Sequence, residues 1–151
     1  MSIILRRVLL GADMARRIFV NLPVKDLSCT VAFFTALGFS FDPKFSNDVA
    51  ACLVVAADSF VMLLSEPFFQ SFSGRPVCDA AQATEVITCL SCDSREEVDD
   101  LVARAVAAGG CAPRPAQDHG FMYGHGFEDP DGHIWELCYM VPGAEIEHIS
   151  G

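Results

Sequence analysis

Apolar positions along residues 18–65 come first as a strand-length run, then as a helical stripe, then as three short runs, and residues 85–141 repeat that order. Ile18 to Val24 reads as a strand closed by Pro23 and Asp26. Asp26 or Ser28 can cap the next helix, where Leu27, Val31, Phe34 and Leu37 form an apolar stripe that Gly38 ends. Strands are expected near 39–45, 50–56 and 60–65. In the second half Glu85 to Cys92 reads as a strand and Ser94-Arg-Glu-Glu97 as a capping box. Val98, Leu101, Val102, Ala105 and Val106 make a helical face, Gly109-Gly110 stops it, and strands follow near 111–116, 121–128 and 133–140. The pattern is βαβββ, linker, βαβββ, which places the chain in the α+β class as two pseudo-symmetric modules, 18–65 and 85–141.

The linker, 66–84, holds Pro67, Gly74, Pro76 and the aromatic group Phe68, Phe69 and Phe72. Those rings either form a lid over a cavity or plug the linker onto the core. Residues 1–17, where Arg6, Arg7, Arg16 and Arg17 interrupt the apolar stretches, read as a loose arm or a start placed upstream of Met14. Residues 142–151, with His148, read as a polar tail.

The composition, 52% hydrophobic and 20% charged over 151 residues, suits a single soluble domain. A net charge of −10 without a basic run argues against nucleic acid or an anionic membrane as partner. Seven cysteines, an odd number lying mostly in apolar runs, point to small buried hydrophobes in a reducing compartment, so the cytoplasm is expected. Only Cys89-Leu-Ser-Cys92 has motif spacing, and in a strand those two side chains point to opposite faces.

The segment Gly124-His-Gly-Phe-Glu-Asp-Pro-Asp-Gly-His-Ile-Trp-Glu-Leu137 carries most of the functional information. It reads as two strands around an Asp-Pro-Asp-Gly turn. A four-residue turn over 129–132 would set His125 directly across from Glu136, with Cβ atoms about 5 Å apart. One extra residue in the turn would send His125 to the other face. Paired, the two are either a cross-strand contact that keeps the carboxylate from being buried alone, or a general acid/base dyad or half a metal site facing a ligand. By parity Tyr123 goes with His125, and Gly124 and Gly126 suggest close packing on the opposite face. Trp135 is expected on the helix side of the sheet and His133 in solvent, with Gln117 and His119 either at the rim of a cup or simply solvated.

Leu22-Pro-Val-Lys-Asp-Leu27, Phe33-Phe-Thr-Ala-Leu-Gly-Phe39 and Asp129-Pro-Asp-Gly-His-Ile-Trp-Glu-Leu137 together resemble the vicinal oxygen chelate superfamily of glyoxalase I, the fosfomycin and bleomycin resistance proteins and the extradiol dioxygenases. The resemblance covers roughly residues 18–141 and implies sheets curled into a cup. In that family the cup holds a divalent metal, with ligands from the first and last strand of each module. Matched on the motifs, those positions are Phe19, Leu63, Ile87 and Glu136. One carboxylate among three residues without donor atoms cannot hold the ion, so no metal and no other cofactor is expected.

The resemblance therefore implies a small-molecule-binding protein of the bleomycin-resistance kind, pairing as a homodimer. Phe19, Asn21, Leu63, Ile87, Cys89 and Tyr123 would line the site, with Glu136 and His125 as its polar contacts. The alternatives are a glyoxalase-like lyase or isomerase using Glu136 and His125, with a non-standard metal site or by acid/base chemistry, and a cup filled by its own side chains.

Overall fold

Asp26 begins the first helix as expected: its Oδ1 accepts from the backbone N–H of Cys29 at 3.0 Å and from the Ser28 hydroxyl at 2.7 Å. The structure is a computed structural model that describes residues 16–144; residues 1–15 of the N-terminal arm and 145–151 of the tail, with His148, lie outside the described residues. Helix α1 spans Leu27–Ala36, α2 Glu66–Ser73 and α3 Arg95–Ala107. The strands are β1 (Ile18–Val24), β2 (Ser40–Phe41), β3 (Ala50–Ala56), β4 (Ser59–Ser65), β5 (Ile87–Ser91), β6 (Gln117–Asp118), β7 (Met122–Glu128) and β8 (Ile134–Met140).

They form two four-stranded mixed sheets, ordered β1-β4-β3-β2 and β5-β8-β7-β6. In each the first strand lies parallel to the last, and the other pairings are antiparallel. The repeated α+β pattern is thus present. Contacts divide the chain into two compact units, one with the chain to Val31 and Gly38–Val77, the other with Ala32–Leu37 and the chain from Cys78. Among the described residues no helix is long and apolar enough to cross a membrane.

Capping explains the other helix boundaries. Ser94 Oγ accepts from Glu97 N at 3.1 Å, and the Glu97 carboxylate reaches back to Asp93 N at 2.6 Å, one residue earlier than in the usual box. Gly38 follows α1 at φ 98°, a left-handed conformation that costs glycine little. Helix α2 lies where a structureless linker was expected. Glu66 and Pro67 open it, and Gly74 at φ 62° closes it. Strands β2 and β6 are shorter than expected: a 3-10 turn, Pro43–Phe45, follows β2, and β6 starts only at Gln117.

In the first sheet one face carries Leu22, Val24, Val61, Leu63, Ala51 and Leu53, all at most 3% exposed. The other carries Ala50, Cys52, Phe60, Met62 and Leu64, and Phe19, Phe45, Val54, Phe68 and Phe69 pack against that cluster. Phe19 stacks on Phe60 at 4.8 Å, and Phe68 meets the more exposed Phe72 edge-on at 4.9 Å. The linker rings therefore plug this face. Burial of the cysteines is less general than expected: Cys52 and Cys92 are buried, Cys29, Cys78, Cys89 and Cys111 are exposed, and Cys138 is between.

In the second unit Trp135 is fully buried, 4.9 Å from Phe34 and stacked on Phe127, as expected for the helix side. Its indole N–H donates to Asp129 Oδ2 at 3.1 Å, while Asp129 Oδ1 accepts from the backbone N–H groups of Asp131 and His133, each at 3.0 Å. Asp129 N donates to His133 O at 3.0 Å, closing a loop of five residues rather than four. Gly132 turns at φ 90°, and a Cβ there would come within 2.8 Å of the Ala81 backbone. His133, expected in solvent, is 9% exposed because this loop folds inward.

Burial lifts the Asp129 carboxyl above 3.8, against the pull of His133 and of the indole N–H. A folded-state pKa above the unfolded value means that the group's own contribution is greatest below pH 3.8 and is lost as pH rises through the raised value. Asp129→Ala should cost about 2 kcal/mol or more, since it strands three buried donors. The wild-type advantage over this variant should shrink as pH rises through the raised pKa, as read from denaturant unfolding over a pH series.

Candidate functional site

The five-residue loop sets the pairing of β7 with β8, and this decides which side chains meet. Glu128 lies opposite Ile134, Phe127 opposite Trp135, Gly126 opposite Glu136, and His125 opposite Leu137. Glu136 and His125 are therefore on opposite faces, and the expected dyad is not formed. A shift of one residue exchanges the faces of a strand, which is what the extra loop residue does. Tyr123 shares the face of His125 and so also lies away from Glu136. Its hydroxyl donates to Asp99 on α3 at 2.7 Å, a bond that raises the phenol pKa, and Arg95 lies 5.0 Å over its ring.

The partner of Glu136 is Arg114, a residue not singled out in the sequence. Arg114 lies between the isolated bridge Cys111–Glu128 and β6, and its guanidinium pairs with Glu136 Oε1. Its backbone carbonyl accepts from His125 Nε2 at 3.1 Å. His125 thus anchors the segment carrying Arg114, while its Nδ1 is buried with no hydrogen-bond partner. The Arg114 side chain is 58% exposed and that of Glu136 29%, so the pair is a half-wet anchor rather than a sealed ion pair. Gly126 leaves the space in which the carboxylate lies: a Cβ there would stand 3.0 Å from Glu136 Cδ and Oε1 and 2.9 Å from Trp135 O. The two glycines had suggested a helix or another backbone packed closely here; at Gly126 the close neighbours are Glu136 and the adjoining strand.

Around this pair the second sheet presents an open face. Ile87 is 51% and Met140 41% exposed, Cys89 is exposed, and Ile134, Cys138 and Glu128 are half-buried. Cys89 lies beside Glu136 in the parallel pairing of β5 with β8. Of the expected site residues, Ile87, Cys89 and Glu136 share this face. Phe19 and Asn21 belong to the first unit, on the face that the linker rings plug; Asn21 is itself exposed and donates to Phe19 O at 3.2 Å. Gln117 and His119 are exposed, 3.3 Å apart.

Leu63 is also displaced from its expected place. Phe19 pairs with Phe60 and Asn21 with Met62, as Ile87 pairs with Ile134 and Cys89 with Glu136. Met62 is therefore the counterpart of Glu136, and Leu63 is buried on the other face.

The family model for the Glyoxalase/Bleomycin resistance protein/Dioxygenase superfamily matches residues 16–137, and the chain belongs to that superfamily. Among solved structures it is similar to hypothetical protein SA1046 from S. aureus, at 27% identity and a TM-score of 0.71, covering 87% of this chain and 98% of that one. A glyoxalase/bleomycin resistance protein/dioxygenase family enzyme from Burkholderia phytofirmans PsJN aligns at 19% identity and a TM-score of 0.69, over 84% of this chain and all of its own. Lactoylglutathione lyase from Agrobacterium tumefaciens aligns at 18% identity and a TM-score of 0.61, over 84% of this chain and 94% of its own. Comparison with curated proteins gives no match.

The metal that the family implies does not fit these residues. Phe19 and Ile87 have no donor atom, Met62 offers a buried thioether that suits a hard divalent ion poorly, and Glu136 is paired with Arg114. Among the described residues no group of three or more His, Cys, Asp or Glu side chains is arranged to hold a metal ion.

Gly126→Ala should lower stability by about 1–3 kcal/mol through overpacking against Trp135 O and should push the Glu136 carboxylate off Arg114. Unfolding curves and a crystal structure of the variant test both expectations.

Proposed function

We propose that the protein binds a small organic molecule on the open face of the second sheet, without the metal chemistry of its superfamily. The observation that carries this reading is the Glu136–Arg114 pair: the one carboxylate at a family ligand position is already held by a guanidinium. Arg114 keeps further N–H donors for an incoming carbonyl or carboxylate oxygen. Ile87, Ile134 and Met140 offer apolar surface for the body of the ligand. The ligand class is thus an apolar molecule with an oxygen-bearing polar end. The family resemblance supports a homodimer as the working assembly, and β1 and β5, at the ends of their sheets, are available for such pairing.

The lyase alternative loses its acid/base dyad, since His125 faces away from Glu136. Nickel-loaded protein should therefore convert the methylglyoxal–glutathione hemithioacetal no faster than buffer, and turnover abolished by Glu136→Gln would overturn the binding reading. A thermal-shift screen of apolar carboxylates should yield a ligand that stabilises the protein by about 2.7 kcal/mol at a hundred times its Kd. Arg114→Gln and Ile87→Asp should remove the shift; a screen with no response, or a shift that survives both variants, would contradict the assignment.

A further inference from the structure

Cys89 and Cys138 come from adjacent parallel strands of the second sheet and put their sulfurs 3.7 Å apart on its open face. Cys92, the other member of the motif spacing, lies just past β5 and is buried. Each cysteine of the pair stands two residues beyond a family ligand position in its strand, Cys89 after Ile87 and Cys138 after Glu136, and so on the same face. The pair is one layer of side chains along from the degenerate site.

We propose that Cys89 and Cys138 form a two-thiolate clamp for one soft, thiophilic divalent cation of the cadmium and zinc class. Two metal–sulfur bonds of about 2.3 Å across the 3.7 Å gap meet at about 107°, close to the tetrahedral angle. Thiolates select soft cations over hard ones, so the clamp is chemically distinct from an oxygen- and nitrogen-lined family site. Cys89 is exposed and Cys138 half-exposed, which gives the ion a path in and leaves its other positions to solvent or to a ligand's own donor.

A disulfide fits the geometry less well. Cys89 pairs with Glu136, not Cys138, so the two cysteines are diagonal neighbours with Cα atoms about 8 Å apart from the spacing and rise of strands. Relaxed disulfides span less than about 7 Å.

Burial and the neighbouring Cys138 thiol push Cys89 up to about 11, so that thiol enters the reaction protonated. As the Cys89 sulfur takes its bond to the cation it gives its proton to solvent, and nothing is oxidised or reduced.

The test uses the full chain with the exposed Cys29, Cys78 and Cys111 changed to serine. Cadmium titration should give a thiolate-to-cadmium ultraviolet band saturating at one equivalent, and should protect Cys89 and Cys138 from alkylation in peptide maps. Loss of an outer partner alone weakens metal sites by 10–100-fold, so Cys89→Ser or Cys138→Ser should weaken binding by about tenfold or more. The alkylation map of the background protein carries the test if a serine variant fails to fold. A band that does not saturate at one equivalent, survives both substitutions, or leaves both thiols reactive would overturn the clamp. That failure would leave the small-molecule reading standing, since that rests on Arg114, Glu136 and Ile87; loss of the small-molecule reading would equally leave the clamp.

Discussion

Asp129 is the residue on which the second unit depends. Its carboxylate gathers two backbone N–H groups of its own loop and the indole N–H of Trp135, so one side chain both shapes the turn and ties it to the largest buried side chain. The resulting five-residue loop sets the strand pairing. That pairing places Trp135, Leu137, Phe127 and His125 on the helix side and Glu136, Gly126 and Cys138 on the open side. The Asp-Pro-Asp-Gly segment is thus first a structural lock, and its relation to chemistry is indirect: it chooses which carboxylate is presented.

The two halves, alike in strand order, use the corresponding faces differently. In the first sheet Phe60 and Met62 are covered by Phe19 and by the rings of α2, so that face is core. In the second sheet no equivalent helix follows β8 among the described residues, and Ile87, Cys89 and Glu136 remain accessible. Of the readings open from the sequence, the self-filled cup describes the first sheet's face and a ligand-binding surface suits the second's.

Much of this was legible in the sequence because it depends on local signals. Helices α1 and α3 announce themselves by Asp26, Ser94 and Glu97 and by their apolar stripes, and the alternation around Trp135 marks a strand with one buried face. Helix α2 was missed although Ser65-Glu66-Pro67 and Gly74 bracket it, since an eight-residue helix carries a weak periodic signal. Two site errors share one cause. Counting the loop as four residues rather than five exchanged His125 for Gly126, and a one-residue misalignment of β4 exchanged Met62 for Leu63. Face assignment in a strand has a period of two, so a single slip reverses it completely. Arg114 carried no signal: its segment is irregular, and its contact with Glu136 is visible only once the chain is folded.

The contact that decides the site is that of Glu136 with Arg114 rather than with His125. Two double-mutant cycles measure it directly, pairing Glu136→Gln once with Arg114→Gln and once with His125→Gln and reading unfolding free energies at neutral pH and low salt. A coupling of about 0.5–1 kcal/mol, reduced by added salt, is expected for Glu136 with Arg114, and additive effects for Glu136 with His125. Additivity in the first cycle together with coupling in the second would contradict it.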